Sequence, residues 1–180
     1  MKIATVARWK PLHLGHAAML EALLARADEL LVGIGSANRY GPKNPFTLAE
    51  TEGMLRAFLG ARARACRWTL VPVPDLDDGP RWRVMVAQLF GRLDLFVSAN
   101  EYVRGLLVDT WPLAHPRDLV PRERHVPIDG ARVRRALARG EPWEGLVPPE
   151  TAEFLRARGL PERFRREFGL ATLALDALPA

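Results

Sequence analysis

Residues 12–20, LHLGHAAML, follow a short apolar run, KIATVAR at residues 2–8, and set two of the chain's four histidines around a glycine at the mouth of a helix. A strand ending near Arg8 delivers His13 to its carboxyl end, and Gly15 lets the backbone pass close to a bulky ligand because no Cβ intervenes. His16 then falls in the first turn of the helix that follows. That turn gathers unpaired N–H groups and the positive end of the helix dipole, and two imidazoles add donors that can meet charge developing on a phosphate. The stretch reads as strand, nucleotide-phosphate loop and helix; the plainer alternative leaves His16 as a helix cap.

Working outward, apolar runs at residues 29–36, 68–74 and 93–99 match the first, each nearly continuous as in strands buried on both faces. Helical periodicity occupies residues 15–27, 48–59 and 80–90 between them. Strand and helix alternating in this way predict an α/β fold, a Rossmann-like parallel sheet flanked by helices and joined by right-handed crossovers. The loops after Arg8, Ser36, Pro74 and Ala99 should then converge on one cleft beyond the carboxyl ends of the strands. The last third changes character, with helices expected at residues 130–139, 150–158 and 161–168 around the turn EPWEGLVPPE. With no internal repeat, low-complexity tract or long linker, the 180 residues read as a single domain, a core over about 1–128 and a C-terminal helical part over about 129–180.

Composition narrows the function classes. The hydrophobic content of 48% suits a globular protein, and no uninterrupted apolar run approaches the ~20 residues a membrane span needs, so a cytoplasmic protein without a membrane partner is expected. A single cysteine, Cys66, excludes an internal disulfide and a multi-cysteine zinc site. The net charge of +5 comes from arginines dispersed among alanines, not from a focused basic stripe, so no nucleic-acid partner is expected. GIGSAN imitates the start of a dinucleotide fingerprint, but Asn38 holds the third glycine position and the run follows the second strand; no G-x-x-x-x-G-K-[ST] occurs either. With three lysines, Lys2, Lys10 and Lys43, the chain also lacks the lysine-rich loop that accompanies this histidine motif in class I aminoacyl-tRNA synthetases.

Four blocks, in order, resemble the archaeal-type nicotinamide mononucleotide (NMN) adenylyltransferases, members of the nucleotidyltransferase superfamily that carries H-x-G-H. ARWKPLHLGH is similar to that family's opening G-R-F-Q-P-F-H-x-G-H, and GIGSAN with NPFTLAE to its G-S-A-Q and N-P-F-T-A-G-E. VPVPDLDDGPRW is similar to its I-P-V-P-D-I and trailing tryptophan, and IDGARVRRALARGEPWEGLVP to its Y-S-G-T-x-V-R-R followed by W-x-x-L-V-P. The resemblance implies transfer of AMP from ATP to the 5'-phosphate of NMN, giving NAD and pyrophosphate, with Mg2+ carried by ATP and a homo-oligomeric assembly. The attacking phosphate, with a second pKa of ~6, is largely deprotonated at neutral pH, so positioning and charge stabilisation carry the reaction and no general base or covalent nucleophile is needed.

Carried onto this sequence, the resemblance implies His13, His16 and Arg134 as catalytic residues, and Arg8, Lys10, His13, Gly15, His16, Gly130 and Arg134 around ATP. Ser36, Asp75, Trp82 and Asn100 would face the mononucleotide; no protein metal site is expected. Each has a plainer alternative: Ser36 could merely end a strand, Asn100 could cap the helix after the fourth strand, and Trp82 could be core. Thr47 and Glu50 form a capping box, and His115 and His125 match no motif. Three positions depart from the family pattern. Thr51 stands where the family has arginine, removing a basic group that could meet a phosphate. Asp129 replaces serine and Ala131 replaces threonine, so a hydroxyl donor is lost and an acid lies near the expected triphosphate. These departures keep open a related acceptor, nicotinate mononucleotide or phosphopantetheine, and a non-catalytic nucleotide-binding regulator.

Overall fold

The computed structural model describes residues 1–63 and 65–177. Five parallel strands, β1 (Lys2–Ala7), β2 (Glu29–Gly35), β3 (Arg67–Val73), β4 (Leu95–Val97) and β5 (Leu113–Ala114), form one sheet in the order β3-β2-β1-β4-β5. Helices α1 (Leu14–Leu24), α2 (Leu48–Arg62), α3 (Gly79–Phe90) and α4 (Glu101–Leu107) are interleaved with the strands, and α5 (Pro116–Leu119) follows β5. They are followed by α6 (Gly130–Arg139), α7 (Pro149–Ala157) and α8 (Leu160–Ala177). The expected α/β architecture is present. The chain moves outward from β1 through β2 to β3, then crosses to the far side of β1 to lay down β4. This switch between β1 and β4 opens a crevice at the carboxyl ends of the strands, where open parallel sheets bind ligands.

Both faces of the sheet are covered, which is why its strands are continuous in apolar residues. On one face Ile3, Leu30, Val32 and Ile34 pack with Leu20 and Leu23 of α1 and Leu55 and Phe58 of α2. On the other, Ala4, Leu31, Val73 and Phe96 meet Val86 and Phe90 of α3 and Leu107 of α4. Gly33 belongs to this packing: a Cβ there would stand 2.5 Å from Val6 Cγ2 of β1 and 2.9 Å from Phe90 Cζ of α3, and one on Gly35 would stand 3.3 Å from Val6 Cγ1, so the glycine pair of GIGSAN answers to packing against the neighbouring strand and α3. A third cluster joins Val133 and Leu137 of α6, Leu155 of α7 and Phe164 of α8 to Phe46 and Met54. Arg163 of α8 grips both carboxylate oxygens of Glu50 and the Pro45 carbonyl. Glu50 also closes the expected capping box with Thr47.

Three element expectations change. β5 was not foreseen, because two residues are too short to register as an apolar run. β4 is three residues where seven were expected, and α8 continues to Ala177 where an end near Phe168 was expected. No helix among the described residues is long and apolar enough to cross a membrane.

Candidate active site

The crevice is a cavity of about 690 Å³, within the roughly 300–1,000 Å³ usual for ligand pockets. The four loops expected to converge do so: Arg8, Trp9 and Lys10 after β1, Ser36 after β2, Asp75 to Asp78 after β3, and Ser98 to Asn100 after β4 all line it. His13 and His16 from α1 and Asp129, Gly130, Ala131 and Arg134 from α6 complete one wall. Of the site residues anticipated from sequence, all but Gly15 line this cavity. The non-glycine residues with left-handed backbones, Trp9 (φ 55°), Ser36 (φ 52°) and Asp77 (φ 54°), line it too, consistent with strain being held at functional sites.

At the phosphate end His13 is the N-cap of α1: its Nδ1 accepts the backbone N–H of His16 at 3.3 Å. With Nδ1 an acceptor, the neutral ring carries its hydrogen on Nε2. The cap is therefore His13, while the His16 ring stacks on it with centroids 3.6 Å apart and lies 4.6 Å from Trp9. The Trp9 indole is pinned in turn by its bond to the Gly33 carbonyl at 2.8 Å. Burial pushes the His13 imidazole down to about 4, Asp129 opposing and Arg134 adding to the effect. Burial, with His13 beside it, drives His16 down as well. Both rings are consequently neutral hydrogen-bond donors at pH 7.

Positive charge is supplied by Arg8, Lys10 and Arg134. None of them takes part in an ion pair among the described residues. Burial and the neighbouring Arg8 push the Arg134 guanidinium down to about 10, so it is still a cation at neutrality. Its Nη1 donates to the Lys10 carbonyl at 3.1 Å. Lys10 is buried, and its ammonium donates to the carbonyls of Ser36 at 3.0 Å and Arg39 at 3.4 Å, leaving a third proton uncommitted. Burial lowers its pKa, Asp75 opposing and Arg8 assisting. Three cations that disfavour one another, beside two neutral donors and the N-termini of α1 and α6, make a site for a polyanion.

The opposite end is acidic and aromatic. Asp78 caps α3 by accepting from Arg81 N at 2.9 Å, and half-buried Trp82 stands on the first turn, packed against the core on that face and lining the cavity. Asp75 and Asp77 lie alongside, and Asn100 caps α4 through Val103 N at 3.2 Å while still lining the cavity. Trp82 is thus packed against the core and Asn100 caps α4, as the plainer readings have it, and both also line the cavity. Sequence reading missed exposed Tyr102 and half-buried Leu106 of α4, which also line this end. Their signal was a short helix starting one residue past a strand-end loop.

Several expectations are corrected. Gly15 does not face the cavity: a Cβ there would sit 2.7 Å from the Ile128 carbonyl and 3.2 Å from the His13 ring, so the close neighbour is the chain itself. Thr51 is fully buried, gives its hydroxyl to the Thr47 carbonyl at 2.8 Å and is not among the lining residues, so the missing arginine removes no cation from the cavity wall as built. Asp129 has a structural role at this position: its carboxylate caps α6 by accepting from Arg132 N at 2.8 Å. His115 caps α5 through Arg117 N, and His125 lies 2.8 Å from the Val120 carbonyl, both in local structure. Among the described residues no group of three or more His, Cys, Asp or Glu side chains could hold a metal ion.

Comparison with known proteins places the chain among relatives. The cytidylyltransferase-like family model matches residues 5–115. The chain is 35% identical over 153 residues to a protein of Thermococcus kodakarensis named nicotinamide-nucleotide adenylyltransferase, covering 84% of this chain and 80% of the relative. It is 36% identical over 168 residues to a protein of the same name from Aeropyrum pernix, covering 92% and 96%. Among solved structures, a bifunctional NMN adenylyltransferase/ADP ribose pyrophosphatase from Francisella tularensis, complexed with AMP and a manganese ion, superposes with a TM-score of 0.68 at 16% identity. That match covers 92% of this chain and 52% of the longer one.

Proposed function

The chain belongs to the cytidylyltransferase-like nicotinamide-nucleotide adenylyltransferases, and from that membership we propose that it transfers AMP from ATP to the 5'-phosphate of NMN, giving NAD and pyrophosphate. The observation that carries the proposal is the two-ended cavity: unpaired cations and neutral imidazoles at one end, Trp82 among carboxylates at the other. A triphosphate suits the first. The second suits a flat cation, and NMN presents an N-glycosylated pyridinium.

With both substrates seated, a phosphate oxygen of NMN attacks the α-phosphorus of ATP, and the bond to the bridging oxygen breaks as pyrophosphate leaves with the electron pair. The acceptor phosphate is already deprotonated at neutral pH, so no residue needs to take a proton. His13 Nε2–H and the His16 ring donate to non-bridging oxygens as charge builds on them. Arg134 and the first turn of α6 hold the β- and γ-phosphates, and Lys10 and Arg8 balance the remaining charge. A divalent cation, Mg2+ in our reading, enters with the triphosphate, since Mg2+ characteristically binds through substrate phosphates with few protein ligands.

A second acceptor, nicotinate mononucleotide, differs by a carboxylate at the ring, which Asp78 and, to the extent that Arg39 leaves them uncompensated, Asp75 and Asp77 would repel. Pyrophosphate release measured with NMN, nicotinate mononucleotide and phosphopantetheine tests the assignment, with NMN expected to be strongly preferred. A preference for either rival would overturn the acceptor assignment. Nucleotide binding without pyrophosphate release for any acceptor would make the protein a regulator.

A further inference from the structure

Asn38 is exposed and does not line the cavity, yet its side chain closes a two-bond ring with the backbone of Asp75. Nδ2 donates to the Asp75 carbonyl at 2.9 Å, and Oδ1 accepts from the Asp75 N–H at 2.8 Å. A side-chain amide thereby continues the pairing of two strands past the end of their ladder, which stops with Gly35 opposite Val73. Ala37 N–H donates to the Val73 carbonyl at 3.1 Å just before it. The next residue, Arg39, forms an ion pair with Asp77 and lies 3.7 Å from the Asp75 carboxylate.

From the other side, the buried Lys10 ammonium holds the carbonyls of Ser36 and Arg39, which bracket Ala37 and Asn38. Residues 36–39 are therefore fixed to the phosphate end and in turn fix the loop of Asp75 to Asp78. Leu76, Asp77 and Asp78 of that loop are exposed, and its other anchors are the Arg39 ion pair and the cap at its far end. Its last residue caps α3, and the Asp78 carbonyl accepts the Trp82 N–H at 2.9 Å.

We propose that Asn38 is a positioning residue for the mononucleotide, acting through the backbone of Asp75 to set the Asp75 carboxylate and the Trp82 ring relative to the phosphate end. The proposal rests on NMN lying against that wall. Without the amide, the N–H and carbonyl of Asp75 turn to water, and the wall samples positions in which it no longer meets the ring.

The test is steady-state pyrophosphate release, with KM measured for each substrate at saturating concentrations of the other, together with melting temperatures. Asn38→Ala should raise KM for NMN about tenfold, the equivalent of two ordinary hydrogen bonds, with KM for ATP within about twofold of wild type. Asn38→Gln, which carries the same amide on one more methylene, should recover part of the loss. Asn38→Asp keeps the acceptor but loses the donor and should not. A lowered melting temperature with both KM values raised alike, or an unchanged KM for NMN, would overturn the proposal. Trp82→Ala separates this failure from that of the underlying assignment. If Trp82→Ala leaves KM for NMN untouched, the mononucleotide does not lie at this wall; if it raises it while Asn38→Ala does not, the clamp alone is wrong.

Discussion

Gly130 and Arg134, one helical turn apart at the start of α6, share one space: a Cβ on residue 130 would stand 2.8 Å from Arg134 Nη1. The guanidinium folds back over the glycine to reach the Lys10 carbonyl, which turns it toward the N-terminus of its own helix. The obstacle a Cβ would meet is the far end of a flexible side chain, so Gly130→Ala should displace Arg134 and spare the fold. The melting temperature should hold or rise, since alanine is the better helix former by up to ~1 kcal/mol. Turnover should fall by about tenfold or more, toward the value of Arg134→Ala. Arg134→Lys should recover only part of the activity, because an ammonium cannot bind two phosphate oxygens as a planar fork does. Arg132→Ala and Arg135→Ala, which remove side chains that do not line the cavity, should have small effects. Equal losses at 132, 134 and 135 would mean that α6 supplies only general positive charge.

Asp129 caps α6 at the position where a triphosphate is proposed to bind, so its carboxylate both occupies one first-turn N–H and repels the ligand. Serine caps a helix about as well as aspartate. Asp129→Ser should therefore keep the melting temperature within a few degrees and lower KM for ATP several-fold, more so at low ionic strength, where the repulsion is least screened. An increased KM would show that the acid assists binding, for instance through the cation carried with ATP.

A pH prediction follows from the buried imidazoles. His13 is held at about 4 against an ordinary 6.5, so between those values the unfolded chain binds more protons than the folded one. Stability should rise with pH through that window and be lost on acidification, by roughly 3 kcal/mol for the complete His13 shift. His16 is displaced in the same direction and steepens the loss. His13→Asn keeps a capping acceptor and removes the titrating group, so denaturant unfolding at pH 7 and at pH 4.5 should show a smaller difference in the variant than in wild type. Identical differences would remove His13 as a source of the acid sensitivity.

Much of this site was legible because its parts are local. A strand, a histidine pair and a helix are adjacent in sequence, and the strand-end rule brings Ser36, Asp75 and Asn100 to the same crevice without any knowledge of side-chain contacts. Part of what escaped was decided by partners distant along the chain. Gly15 is shaped by the Ile128 carbonyl, which no local pattern announces. Asn38 reads in the sequence as a missing third glycine and as part of a G-S-A-Q-like block, whereas in the fold it makes a pair of bonds to another loop. Thr51 was weighed by the charge it lacks, although its hydroxyl is spent on the turn before it. The end of α8 carries Leu170 at 87% exposure, so the apolar periodicity that marks a helix against a core fades there while the helix continues.

His16 gives the most direct test of the phosphate end. Its ring stacks on His13 and approaches Trp9, contacts worth ~0.5–1.5 kcal/mol for an aromatic pair, so His16→Ala should lower the melting temperature by only a few degrees in a chain of this size. A donor aimed at charge that appears only as the α-phosphorus is attacked affects the rate far more than ground-state binding, and its loss typically costs about 10²- to 10³-fold in turnover. KM for both substrates should move little. Because the ring is already neutral at pH 7, the acid side of the wild-type rate profile should follow the NMN phosphate, near pH ~6, and the surviving activity of His16→Ala should fall along the same limb. Near-normal turnover in a folded His16→Ala protein would remove His16 from the chemistry and leave it as packing beneath His13, whereas an acid limb that disappears with the ring would show that the imidazole itself titrates and would overturn its role as a neutral donor.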